Sequence, residues 1–298
     1  RFKEADASSW YRGFTFDIPP TALIHIDIEP SEIGRAFPTE LGVVADARGA
    51  LAVLNRAARD LYPDGFERRE VADRIAAFRI GFAEENRAMA TSDAFPLMPE
   101  RILADVRAEL PDDAYITTDV GWNKNGVGQQ FPILEPGSFL TPGGFATMGF
   151  GPSAAIGAQL AAPGRTVVSL VGDGGFGQNP AMLMTAVELD LPIVWIVMNN
   201  NGYGTIAGLQ MAHYELTYGT LFPGEIGDRV PDYAAIARAY GADGVTIERA
   251  DQFLPALEAA LASGRPTVLD VPMKNNPTPT TGHWNILDIY SPGRDVSH

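Results

Sequence analysis

The chain has 298 residues, 46% hydrophobic and 20% charged, with a formal net charge of −15 and no cysteine. That content supports a buried core and excludes a disordered tail, while the acidic balance argues against nucleic acid or an anionic membrane surface as partner. Without cysteine there is no disulfide framework, thiol nucleophile or zinc–thiolate site, and no transmembrane-length apolar run or signal-peptide pattern is visible, so a cytoplasmic enzyme of one large or two modest domains is expected.

In chain order, residues 1–62 carry two short strands, 22–28 and 42–45, then a helix over 47–60: the tail of a Rossmann-like α/β domain. A charged stretch with helical character occupies a linker at 63–95, and Phe95-Pro96-Leu97-Met98-Pro99 punctuates the boundary. Beyond it, strands are expected at 115–118, 166–171, 193–198, 244–247 and 267–271. Helices are expected at 100–110, 152–160, 179–190, 232–240 and 252–262. Strands alternating with helices imply an α/β fold, a parallel sheet covered by helices on both faces, over residues 96–274. Residues 275–298, rich in Pro, Thr and Gly, read as a C-terminal arm.

Two short clusters stand out. Gly172-Asp173-Gly174 follows one apolar run, Asn199-Asn200 follows the next, and 24 residues separate them. With strand, loop, helix, strand, loop as the unit, a right-handed crossover sets both loops side by side at the C-terminal ends of neighbouring strands. There Asp173 offers a carboxylate, Asn200 an amide oxygen and Gly202 a carbonyl, a hard oxygen set suited to Mg²⁺ with room for two phosphate oxygens and a water. Gly174 and Gly175 leave backbone N–H groups free to approach a diphosphate. Gly172 to Gly177 also matches G-x-G-x-x-G literally, which would make the protein a dinucleotide-binding oxidoreductase. Against that, Asp173 would repel a pyrophosphate without a metal, and the next strand ends in asparagines rather than an acidic residue.

The stretch GDGGFGQNPAMLMTAVELDLPIVWIVMNNNGYGTI, residues 172–206, resembles the thiamine diphosphate (ThDP) motif, and within that superfamily the acetolactate synthase large subunit and its relatives. FATMGFGPSAA (145–155) resembles the family's segment around the cofactor's pyrimidine. YITTDVG (115–121) resembles the opening of the diphosphate domain, and LIHIDIEPSEIGRAFPTELGVVADARGA (23–50) the end of the middle domain. The resemblance implies that ThDP and Mg²⁺ are the cofactors, with Gly172, Asp173, Gly174, Gly175, Asn200, Gly202, Tyr203 and Gly204 around the diphosphate. It implies that Met148 props the cofactor in a bent shape, placing the pyrimidine amine beside the reactive thiazolium carbon, with Ala146 and Thr147 beside it. Relatives often have glycine at the Ala146 position, whose carbonyl receives the amine. It implies FAD at Asp27 and Asp46, although some relatives lack the flavin and Asp46 is also suited to capping a helix.

The resembled family places its activating glutamate in a pyrimidine-binding domain ahead of the middle domain. That domain is expected from upstream sequence or from a partner chain, in a homodimer or homotetramer. Acetolactate-synthase-like decarboxylative carboligation of 2-oxo acids is the leading expectation. A non-ligating 2-oxo acid decarboxylase or a diketone-cleaving relative is the alternative; a non-catalytic subunit is a third. His283, beside Trp284 in the arm, is the candidate substrate-side acid or base, ahead of His213. His25 reads as a core residue and His298 is terminal. The chain departs from the family in lacking a tryptophan between the metal loop and Trp284. A second departure is GWNKNGVGQQF (121–131), read as a loop, where a glutamine–histidine turn is usual. Both leave the acceptor substrate open.

Overall fold

The computed structural model describes residues 18–35, 37–143, 145–222 and 229–275, apart from the side chains of Leu209, Ala212 and His213. The arm beyond Asn275, with His283 and His298, and the side chain of His213 lie outside this description. Contacts divide the chain into two units between Arg79 and Ile80.

In the first unit, strands β1 (Ile24–Asp27) and β2 (Leu41–Val44) pair in parallel, with Ile24 opposite Leu41 and Asp27 opposite Val44. Helix α1 (Ala47–Leu61) follows, and α2 (Arg69–Ala90) runs across the division between the units. Asp46 caps α1, its Oδ1 accepting the Gly49 N–H at 2.9 Å, which satisfies one of the donors a helix start leaves open. His25, expected in the core, is half-buried, with Nδ1 accepting from the Gly34 N–H at 3.4 Å.

The second unit contains the larger core. Its elements are α3 (Pro99–Glu109), β3 (Tyr115–Thr118), α4 (Trp122–Gln130), β4 (Phe139–Leu140), α5 (Phe150–Ala161), β5 (Val167–Gly172), α6 (Asp173–Gln178), α7 (Met182–Glu188), β6 (Ile193–Asn199), α8 (Gly204–Tyr214), α9 (Tyr233–Ala239), β7 (Asp243–Thr246), α10 (Phe253–Ala262) and β8 (Thr267–Pro272). The strands form one six-stranded, all-parallel sheet in the order β4-β3-β5-β6-β8-β7. The central strands β5 and β6 are continuous apolar runs because both of their faces are covered. Alternation sends Val168, Leu170, Val194, Ile196 and Met198 into one core with residues of α3, α4 and α10. Val167, Val171, Ile193, Trp195 and Val197 enter the other with α5, α6, α7 and α9.

Three expectations change. Residues 122–130 form helix α4 rather than a loop. Its glycines lower helix propensity, but a Cβ on Gly126 would overlap the Trp122 ring, so glycine there lets the ring fold back over its own helix. Trp122 and Val127 then join the core, and packing overrides propensity. The glycine-rich segment after β5 is likewise the start of α6, and the single helix expected at 179–190 is α7 alone, with Pro180 between them. The two-residue edge strand β4 gave no period to detect.

Candidate functional site

Strands β5 and β6 are hydrogen-bonded neighbours with Gly172 opposite Met198, which brings Asp173 and the turn 199–202 together at the C-terminal edge of the sheet. Asp173 is 2% exposed, and its Oδ2 accepts the Gly202 N–H at 2.9 Å. One terminal atom of the Asn200 amide lies 3.2 Å from Asp173 Oδ1 and 2.9 Å from the Gly202 carbonyl oxygen. As nitrogen it donates to both. As oxygen it stands from each of the other two oxygens at a spacing close to the edge of an octahedron built on metal–oxygen bonds of about 2.1 Å, which is about 3.0 Å. The residues present therefore fit a small hard cation. Among the described residues no group of three His, Cys, Asp or Glu could hold a metal ion. A cation here would rest on one carboxylate and two neutral oxygens, leaving positive charge for an anionic ligand to balance.

The turn is held from behind. Asn201 adopts φ 54°, a left-handed conformation to which asparagine is among the better suited side chains, and its N–H donates to Asn199 Oδ1 at 3.0 Å. Asn199 Nδ2 donates to Asp270 Oδ1 on β8 at 2.9 Å, and Asp270 Oδ2 accepts the Tyr233 N–H at 3.3 Å. On the other side Tyr203 N–H donates to the Thr220 carbonyl at 2.8 Å, and Phe222 N–H to the Asn201 carbonyl at 2.9 Å. A Cβ on Gly202 would stand 2.6 Å from the Thr220 carbonyl oxygen, so this close approach requires glycine. Burial pushes the Asp173 carboxyl up to about 6, against the lowering effect of the Gly174 and Gly202 N–H groups. A cation at this position would favour the charged form.

Gly174 carries the second feature. A Cβ there would lie 2.7 Å from Tyr203 Cε1 and 3.0 Å from Met148 Cε, so both side chains converge over the bare first turn of α6. Gln178 Nε2 approaches Met148 Sδ at 3.8 Å. Ala146 sits at φ 49° and Gly149 at φ 84°. The alanine therefore occupies a left-handed position natural to glycine, a strain of about 1–2 kcal/mol. Thr147 between them is exposed. Gly204 opens α8 beneath Asn200 and Asn275, where a Cβ would be 2.6 Å from Asn200 Nδ2.

Asp27 and Asp46 belong to the first unit. Asp27 Oδ1 accepts the Glu29 N–H at 2.9 Å, and Asp46 serves as the helix cap described above. Sequence reasoning missed Asn275, which falls in the segment read as the arm; with the Asn200 amide oxygen turned toward Asp173 and Gly202, Asn200 Nδ2 donates to Asn275 Oδ1 at 3.1 Å. It also missed Asp270, although an acidic residue inside the apolar strand at 267–271 is an anomaly that could have been followed.

Residues 119–271 match the profile of the thiamine pyrophosphate enzyme C-terminal TPP-binding domain. The chain belongs to the thiamine pyrophosphate enzyme family. It is 33% identical over 259 residues to a probable acetolactate synthase large subunit of Methanocaldococcus jannaschii, covering 85% of this chain and 42% of that protein. It is 31% identical over 283 residues to a sulfoacetaldehyde acetyltransferase of Rhodobacter capsulatus, covering 87% of this chain and 46% of that one. Among solved structures, the thiamine diphosphate-dependent 4-hydroxybenzoylformate decarboxylase of Rhodococcus jostii RHA1 superposes with a TM-score of 0.69 at 28% identity, over 87% of this chain and 45% of that one. The chain thus spans less than half the length of these relatives. Family membership decides between the two meanings of the glycine-rich segment: it lies within a thiamine pyrophosphate (ThDP) domain, not a dinucleotide fold.

Proposed function

We propose that the intact protein uses ThDP and Mg²⁺ to cleave and re-form carbon–carbon bonds next to a carbonyl, as an acetolactate-synthase-like carboligase of 2-oxo acids. The observation that carries this reading is the convergence of Asp173 Oδ1, the Asn200 amide and the Gly202 carbonyl beside a turn covered by Met148 and Tyr203. In it, Asp173, Asn200 and Gly202 hold Mg²⁺, and the first turn of α6 faces the diphosphate. Met148 would lie against the bound cofactor and the Ala146 carbonyl would accept a hydrogen bond from its pyrimidine amine, an arrangement that gains from proximity. When bound, ThDP supplies an electron sink for cleavage beside a carbonyl. We assign the diphosphate-binding domain to residues 96–274 and the pyrimidine-binding domain to upstream sequence or a partner subunit.

FAD belongs to the same proposal, with Asp27 and Asp46 at the ends of neighbouring strands as its contacts. The Rhodococcus decarboxylase likeness favours a second reading, decarboxylation without ligation. The experiment supplies the intact assembly with ThDP and Mg²⁺, with and without FAD, feeds it pyruvate and follows products by NMR. Acetolactate supports carboligation. Acetaldehyde alone supports the second reading, and inert pyruvate with bound cofactor overturns both for this substrate.

A further inference from the structure

We propose that Asp119 is a positioning residue that holds Met148 over the first turn of α6, acting through the backbone of Gly149 and Gly151. This deepens, and rests on, the proposed role of Met148. Asp119 follows β3 and is 1% exposed. Its Oδ2 accepts the Gly149 N–H and its Oδ1 the Gly151 N–H, each at 3.0 Å.

Those donors open α5, whose cap residue Gly149 has no side chain to satisfy them. A carboxylate from the neighbouring strand takes over the capping task, at the helix end that favours negative charge. One acceptor would serve a helix start. Two acceptors straddling Phe150 also fix the direction in which the chain leaves Met148, at the left-handed turn of Gly149.

The same strand adds a second tether, since Thr117 Oγ1 donates to the Gly151 carbonyl at 2.9 Å. A Cβ on Gly151 would lie 2.7 Å from the Thr118 carbonyl carbon, so glycine lets the helix start rest on the strand. On the opposite side, a Cβ on Gly175 would collide with Asp119 Oδ2. The carboxylate is thus wedged between the turn that bears Met148 and the α6 turn that Met148 covers.

The test compares Asp119→Asn, Met148→Ala and the double variant in the intact cofactor-binding protein. The asparagine keeps the volume but has one accepting atom, leaving one of the two N–H groups against a donor. Hydrogen–deuterium exchange at the thiazolium carbon of bound ThDP should slow about tenfold or more in Asp119→Asn. Mg²⁺-dependent ThDP affinity should stay within about threefold, and the double variant should exchange no more slowly than Met148→Ala alone.

Independent, multiplicative slowing in the double variant overturns the proposal, as does parallel loss of exchange and affinity in Asp119→Asn. Wild-type exchange in Met148→Ala overturns the role of Met148 itself, and this inference with it. If Asp119→Asn does not fold, Thr117→Val removes only the second tether. A smaller slowing that vanishes in the Met148→Ala background supports the proposal, and unchanged exchange contradicts it.

Discussion

The Gly202 N–H donates to Asp173 Oδ2 across 2.9 Å, tying the end of β6 to the residue that follows β5. This bond closes the proposed metal site with the backbone of one loop and the side chain of the other. Asp173→Ala and Asn200→Ala should each abolish Mg²⁺-dependent ThDP binding, measured by fluorescence quenching in a cation titration. Affinity retained at the wild-type level would remove these residues from the cation.

Asp270 should matter to the same titration without touching the cation. Its two oxygens hold Asn199 and the Tyr233 N–H, and Asn199 in turn holds the turn at Asn201. Asp270→Ala leaves those groups buried and unmatched, which destabilises the fold by about 1–3 kcal/mol. We expect a lower melting temperature together with weaker Mg²⁺ binding. A melting shift with unchanged cation affinity would show that the turn keeps its shape unaided.

Ala146→Gly tests the strain beside Met148. Relief of the left-handed alanine favours the variant by about 1–2 kcal/mol, and the added freedom of the unfolded chain offsets about 0.4–1 kcal/mol of it. Stability by chemical denaturation should rise by about 1 kcal/mol or stay level. A clear loss would mean that the Ala146 methyl makes a packing contribution larger than its strain.

Glu100 supplies a pH dependence. It is 4% exposed, Oε2 has no hydrogen-bond partner among the described residues, and burial raises its pKa above the usual carboxylate range. The folded state therefore binds this proton more tightly than the unfolded chain does. Its favourable contribution is complete below the unfolded value and is lost as pH rises through the folded one. Glu100→Gln should raise the melting temperature at pH 7 and do little near pH 4. An equal shift at both pH values would assign the effect to something other than charge burial.

The sheet was legible because β5 and β6 are unbroken apolar runs and because strands alternate with helices, which forces parallel neighbours. The cluster at Asp173 and Asn200 was legible for a related reason: residues at the ends of adjacent strands must meet. Helix α4 was not, since its glycines reflect the space taken by the Trp122 ring, and ring placement is a tertiary fact. Asp119 also escaped notice. Its partners are backbone N–H groups about thirty residues away, and a backbone N–H leaves no mark of its own in the sequence.

The Asn200 amide gives the proposed metal site two ways of holding the same shape. Nitrogen-inward, it bonds Asp173 and Gly202 to each other through itself; oxygen-inward, the same three atoms face an ion. Exchange between the two needs a half-turn of the Asn200 amide, matched by a turn of the Asn275 amide that it faces, with the loop already in place. Arrival of the cation would then be registered in these paired side-chain rotations rather than in refolding of the turn, and the amide resonances of Asn200 and Asn275 would be the place to see it.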